Sequence, residues 1–182
     1  KSYKIFAGAV DFMDSEDLTA EKLKPAILGS LKPYYRDKSV YGKTKLDGEK
    51  NVLEILTNAY IIRTAWVYSS FGNNFVKTML KLGKERDELN VVSDQIGSPT
   101  YARDLASGIL HIVKEIENGN DQPGIYHFSN EGDCSWYEFA SEIMRLAELN
   151  CKVNPIPTSE FPTKAERPKY SVLDKTKIKS RF

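Results

Sequence analysis

From residue 39 onward the apolar positions fall into alternating helical and extended patterns. Tyr41, Gly48, Val52, Ile55 and Leu56, with Lys45 in the same series, recur at helical spacing and predict a helix that ends in a turn at Asn58. Residues 60–68 predict a single strand, apolar on both sides of Arg63 as expected for a parallel strand covered on both faces. Residues 75–82 predict a helix with Phe75, Met79 and Leu82 on one side, and residues 89–92 a short strand. Gly97, Ser98 and Pro99 then break the chain. Thr100 is expected to cap the next helix, whose buried stripe is Leu105, Ile109, Ile112, Val113 and Ile116. Another strand is expected over 124–129. Ser135 followed by Glu138 is a capping box, and Phe139, Ile143, Leu146 and Leu149 are expected to form the core face behind it. Val153 begins a last short strand, and the Pro-rich run 155–168 is expected to be mostly loop.

The first 37 residues carry a weaker pattern. Residues 5–7 read as a short strand and 18–28 as a helix interrupted by Pro25, before a loop marked by Gly29, Ser30 and Pro33. Alternating helices and strands at this spacing predict an α/β domain with a mostly parallel sheet. A dinucleotide-binding domain of this class begins with a strand, a Gly-rich turn and a helix. Gly8 alone follows Phe6 and Ala7, so that fingerprint is not present here.

Composition narrows the options. A chain of 182 residues, 41% hydrophobic and 28% charged, can bury one core or slightly more. A net charge of +1 offers little general attraction to nucleic acid or an anionic membrane. The start lacks a basic-then-apolar leader, and no apolar run has membrane-spanning length, so a cytoplasmic location is expected. Cys134 and Cys151 stand far apart, which argues against a disulfide scaffold and fits a reducing compartment. Both are read as small buried residues. With two histidines and no paired cysteines, no metal site is expected.

Chemistry concentrates in Tyr41-Gly42-Lys43-Thr44-Lys45. A phenol and an ammonium four residues apart share one helical face, and the cation favours phenolate over phenol. Such a pair can exchange a proton with a carbonyl or alcohol oxygen. The same spacing also fits a solvated helix start with two lysines, and spacing alone leaves both readings open.

Five ordered stretches decide between them. They are Val40-Tyr41-Gly42-Lys43-Thr44-Lys45-Leu46-Asp47-Gly48-Glu49; Arg63-Thr64-Ala65-Trp66-Val67-Tyr68 with Gly72-Asn73-Asn74-Phe75-Val76; Asp94-Gln95-Ile96-Gly97-Ser98-Pro99-Thr100 with Arg103-Asp104-Leu105-Ala106; Gly124-Ile125-Tyr126-His127 with Cys134-Ser135-Trp136-Tyr137-Glu138-Phe139-Ala140; and Ile156-Pro157-Thr158 with Arg167-Pro168 and Ser171-Val172-Leu173-Asp174. Together they resemble the extended short-chain dehydrogenase/reductases, in the branch that reduces a 4-keto-6-deoxyhexose carried on dTDP. The resemblance covers roughly residues 29–182 and implies a Rossmann-like, mostly parallel sheet, incomplete at its N-terminus, with a smaller α/β substrate-binding lobe. It divides the chain into 1–92, a partial dinucleotide-binding domain with the catalytic helix, and 93–182, a nucleotide-sugar-binding region. The family carries about a hundred further N-terminal residues, with the glycine fingerprint. Its Ser/Thr-Asp-Tyr-Val-Phe-Asp-Gly strand is not found before Gly29, and the spacer before Val40 is short. Breaks between Ile27 and Gly29 or between Arg36 and Val40 are therefore expected.

The resemblance assigns roles. Tyr41 would protonate the sugar's C4 oxygen as NADPH, with NADH as the alternative, delivers hydride; Lys45 would lower the phenol pKa and hold the nicotinamide ribose. The implied reaction converts dTDP-4-dehydro-L-rhamnose to dTDP-L-rhamnose. Trp66, Asn74, Gln95, Thr100 and Arg167 would line the substrate cleft. The residues themselves keep plainer readings open: core packing for Trp66, helix capping for Asn74, a turn at Gly97 and Pro99, a surface ion pair for Arg103, and a core or supporting role for His127. Arg167, in a Pro-flanked loop beside Lys169 and Tyr170, suits a diphosphate. A nucleotide-sugar epimerase of the same fold and a non-catalytic binding subunit are the competing readings. No nucleic-acid or membrane partner is expected, and a homodimer is an open option.

Overall fold

Three parallel strands form the sheet on which the rest is arranged: β1 (Ile5–Ala7), β2 (Tyr60–Arg63) and β7 (Gly124–His127), in the order β1-β2-β7. The computed structural model describes residues 5–7, 38–161 and 167–182. The expected helix over 18–28 and the expected breaks before Val40 lie outside these. Helix α1 (Lys38–Ile55) precedes β2, and β3 (Val67–Tyr68) and α2 (Phe75–Glu85) follow it. Next come β4 (Glu88–Val92), β5 (Ile96–Gly97), β6 (Thr100–Tyr101) and α3 (Ala102–Glu117), which leads to β7. The chain closes with β8 (Cys134–Ser135), α4 (Trp136–Leu146), β9 (Lys152–Ile156), a 3-10 turn at Thr158–Glu160 and α5 (Thr176–Arg181). β3 pairs with β6 and β4 with β9, both parallel, while β5 and β8 are antiparallel. The mostly parallel α/β architecture expected from periodicity, and the Rossmann-like sheet that the resemblance implies, are the ones observed.

Two cores hold these layers. The first packs Tyr60 and Ile62 of β2 and Tyr126 of β7 under Leu105, Ile112 and Ile116 of α3, with Ile178 and Phe182 against it. Ile62 and Ile112 are each 1% exposed, and burying a side chain of this size contributes about 1.5–3 kcal/mol. The second core joins Met79 of α2, Leu89 and Val91 of β4, Ala140, Ile143 and Met144 of α4, and Cys151. This is the smaller lobe, with α2 and α4 on the β4–β9 pair. Both cores draw on residues from either side of the division expected between 92 and 93.

Several expectations are corrected. The strand over 60–68 is two strands, because Trp66 takes a left-handed backbone (φ 51°) that interrupts the extended run. The strand at 124 ends at His127, not 129. Leu146 is 68% exposed, not part of the core face. Ile143 is in the core as expected, with Phe139 and Leu149 packed against it, and Ala140 and Met144 join it in place of Leu146, Met144 fitting against Gly83 of α2, where a Cβ would stand 2.5 Å from its sulfur. Thr100 belongs to β6 and does not cap α3: its hydroxyl donates to Ala65 O (2.7 Å). The cap position is Tyr101, whose N–H is accepted by Asn130 Oδ1 at 2.7 Å. Pro155 lies inside β9, opposite Val91, in a two-stranded pair where a missing donor is tolerated. Among the described residues no helix is long and apolar enough to cross a membrane.

The capping box is observed as expected. Glu138 N–H donates to Ser135 Oγ (3.1 Å), and Ser135 N–H donates to Glu138 Oε2 (2.7 Å). Ser135→Ala should lower the unfolding free energy by about 1 kcal/mol in urea titration at neutral pH. Hydrogen bonds from the Ser135 backbone and hydroxyl hold the Glu138 carboxyl below its ordinary range. That part of the stability is complete above the ordinary carboxylate pKa and is lost as pH falls through the depressed value. The deficit of Ser135→Ala should therefore shrink in acid, and a deficit constant through the acid limb would remove Glu138 from the cap.

Candidate functional site at the strand ends

In sheets of this kind ligands sit beyond the C-terminal ends of the parallel strands. Here β2 ends at Arg63 and β7 at His127, and the register sets these two residues opposite each other. Arg63 reaches across to α1: its Nε donates to Glu49 Oε1 at 2.8 Å and its Nη2 to Glu49 Oε2 at 2.6 Å. This two-pronged bond raises the pKa of the guanidinium still further. Arg63 Nη1 lies 3.4 Å from His127 Nε2, and His127 Nδ1 lies 3.0 Å from Asp174 O. A guanidinium only donates and a carbonyl only accepts, so a neutral imidazole with its proton on Nδ1 satisfies both contacts. Both ring nitrogens of His127 are thus engaged within the protein itself.

Beyond Arg63 the chain turns sharply. The Thr64 hydroxyl is buried and, among the described residues, has no hydrogen-bond partner. Trp66 follows with its left-handed backbone, and its indole stacks on Trp136 of α4 with ring centres 3.5 Å apart and planes 14° from parallel. Gly97 backs the same indole so closely that a Cβ there would fall 2.5 Å from Trp66 Cε2. Thr100, with no exposed surface, secures the bend: its N–H donates to Trp66 O (3.1 Å) and its hydroxyl to Ala65 O. Tyr68 stacks on Tyr101 at 5.5 Å, and burial, with Asp104 adding to it, pushes its phenol pKa up.

The remaining expected site residues divide into those used by the fold and those at its surface. Asn74 caps α2, its Oδ1 accepting from Lys77 N–H (3.1 Å) and its Nδ2 donating to Ser69 O (2.8 Å). It also borders a shallow cavity of about 180 Å³ lined by Val67, Tyr68, Ser69, Phe71 and Asn73. Gln95 is 4% exposed and donates to Thr158 Oγ1 (3.0 Å). The neighbouring Asp94 accepts from Thr158 N–H (2.8 Å), and Thr158 holds its carboxyl below the usual range. Arg167 is exposed. Its segment is tied beside Gly97 by Ile96 N–H donating to Lys169 O (2.8 Å) and Ser171 N–H to Ile96 O (2.9 Å). Lys45 is exposed on α1, one turn before Glu49, and Tyr41 lies one turn earlier still; the Tyr41 side chain is outside the described part. Burial pushes both thiols, Cys134 and Cys151, above their ordinary pKa, so neither is a ready nucleophile.

Sequence reasoning passed over the Glu49–Arg63 pair. Its one signal was an arginine inside an otherwise apolar strand, where a charge calls for a partner.

Residues 34–182 match the family described as RmlD substrate binding domain. The spore coat polysaccharide biosynthesis protein SpsK of Bacillus subtilis is 47% identical over 146 residues, which cover 78% of this chain and 50% of that protein. The dTDP-4-dehydrorhamnose reductase of Aggregatibacter actinomycetemcomitans is 47% identical over 150 residues, covering 79% of this chain and 51% of that enzyme. Among solved structures, the dTDP-4-dehydrorhamnose reductase of Bacillus anthracis in complex with NADP is similar, with a TM-score of 0.72 and 37% identity over 98% of this chain and 58% of that one. The chain spans about half the length of the curated relatives it matches.

Gly97→Ala is expected to displace the Trp66 indole, at a cost of about 1–3 kcal/mol in stability. Trp66 and Trp136 are the two tryptophans of the chain, so their fluorescence reads the stack directly. An unchanged emission spectrum in a stable Gly97→Ala protein would mean that Gly97 does not hold Trp66 in place.

Proposed function

This chain belongs to the RmlD substrate binding domain family, and on that premise we propose that it is the catalytic-helix and substrate-binding part of a dTDP-4-dehydrorhamnose reductase. The reaction is reduction of the C4 keto group of dTDP-4-dehydro-L-rhamnose to the alcohol of dTDP-L-rhamnose. The observation that carries this reading is the meeting of α1, with its Tyr41–Lys45 spacing, and the C-terminal edge of the parallel sheet, through Glu49 and Arg63. A reductase is preferred to an epimerase of the same fold because relatives at 47% and 43% identity carry the reductase name.

The residues at this edge fit the nicotinamide end of NADPH, with NADH as the alternative. The exposed Lys45 lies on α1, and the buried Thr64 hydroxyl, which has no hydrogen-bond partner among the described residues, directly follows β2. When bound, the nicotinamide supplies a hydride to C4. Tyr41 gives its phenolic proton to the O4 that gains charge as the C=O π bond breaks. The phenolate left behind is stabilised by the Lys45 ammonium, which also holds the nicotinamide ribose. Trp66 closes one side of the sugar and keeps water from the reacting carbon. Gln95 and Thr100 serve the pocket from behind, through Thr158 and the Ala65–Trp66 bend. Arg167 meets the diphosphate, for which a forked guanidinium is suited. Asn74 shapes the loop beside the cavity at Tyr68.

In the full-length protein, Tyr41→Phe is expected to lower turnover by roughly 10²–10⁴-fold with nucleotide-sugar binding retained, since the proton transfer alone is lost. Steady-state kinetics with NADPH and the keto sugar make the measurement, and unchanged turnover removes Tyr41 from the mechanism. Arg167→Ala should weaken dTDP-sugar binding and leave NADPH affinity nearly unchanged in calorimetric titration. Equal weakening of both ligands would assign Arg167 to the fold.

A further inference from the structure

Helix α1 poses a mechanical problem. None of residues 43–55 is buried, and Leu46 and Ile55 are 43% and 61% exposed. Among the described residues, apolar packing holds this helix only through half-buried side chains such as Val52 and Leu53. A general acid, in contrast, must be held to within a fraction of an ångström of the atom it serves. Glu49 lies one turn after Lys45 and two after Tyr41, at four-residue intervals that place all three positions on one stripe of α1. The Glu49 carboxylate takes both prongs of Arg63, at 2.8 and 2.6 Å, and its side chain is 17% exposed. Arg63 in turn sits at the end of β2, three residues before Trp66, with its third nitrogen beside His127. His127 is tied to the carbonyl of Asp174 in the C-terminal segment. Three parts of the chain, α1, β2 and β7, thus meet at one guanidinium, and His127 links them to the segment before α5.

We propose that Arg63 is a positioning residue for the reaction: the Glu49–Arg63 clamp, backed by His127, sets the height of the Tyr41–Lys45 stripe over the strand end that carries Trp66. The inference rests on the reductase reading given above. Two contacts in one plane fix rotation as well as distance, which a single ammonium cannot do. Because the pair is partly open to water, with Arg63 39% exposed, it contributes modestly to global stability. Its effect is geometric.

The test compares Arg63→Gln, Arg63→Lys and Glu49→Gln with the unaltered full-length protein. Arg63→Gln is expected to lower kcat about ten- to a hundredfold, with KM for the dTDP-keto sugar within about twofold. Arg63→Lys should recover part of the loss. Arg63→Gln combined with Glu49→Gln should be no worse than either alone, because both break one clamp. Hydrogen exchange supplies the second readout: amides of α1 should exchange faster in Arg63→Gln while those of β4 and β9 stay unchanged. A raised KM with α1 exchange unchanged would place Arg63 on the ligand and overturn the proposal. So would unchanged kcat, or faster exchange throughout the protein. Should the unaltered protein reduce no dTDP-keto sugar, the reductase reading fails on its own, and the exchange comparison still decides whether the clamp holds α1.

Discussion

The parallel register of β2 between β1 and β7 determines where the functional groups of this chain can stand. In a parallel sheet every strand delivers its C-terminal end to the same edge, so side chains that finish neighbouring strands arrive together. Here the register pairs Tyr60 with Gly124 and, three residues on, Arg63 with His127. A slip of one residue would turn both away from the edge and expose Ile62. Burial of Ile62 and Tyr126 under α3 prevents that slip. The hydrophobic core thereby fixes an arrangement of polar groups in which it takes no direct part.

The bend after β2 is the second constraint. A tryptophan in the left-handed region is strained by about 1–3 kcal/mol, and it persists when its surroundings leave no alternative. Trp136 covers the indole, Gly97 leaves it room, and Thr100 holds the carbonyls of Ala65 and Trp66. These three partners come from α4, β5 and β6, so the strand break is secured by the second half of the chain. Gly97 and Thr100, which shape this wall from behind, are buried, and Trp66 and Trp136 are half-buried in front of them. Gly97 and Thr100 are thereby left to hold the bend and not to meet a ligand.

That division explains which site residues could be read in advance. Ser135 and Glu138 were legible because a capping box is closed within four residues and needs nothing else. The Asn74 cap was legible for the same reason, and the amide is in fact used within its own loop. Gln95 and Thr100 were expected to line the substrate cleft, yet their bonds go to Thr158, 63 residues away, and to Ala65, 35 residues back. No local pattern announces such partners. Thr100 was misread as a cap because a threonine before a helical stripe has that appearance, and the strand pairing of β3 with β6 overrides it.

By itself the sequence determined the longer elements, α1 to α4 with β2, β4, β7 and β9, because helical and strand periods are written in the spacing of apolar residues, and it missed the two-residue strands and α5. It also determined the family, through motifs in order, and the Tyr41–Lys45 spacing, because four residues on a helix share a face whatever surrounds them. Tertiary structure alone decided that Leu146 faces water, that Trp66 stacks on Trp136, and that Arg63 joins Glu49 to His127. The physical reason is range. Periodicity and capping are satisfied within a turn or two of backbone, whereas a bidentate ion pair or an aromatic stack needs groups up to seventy residues apart in the chain. Only the register of the sheet and the packing of its helices bring them together.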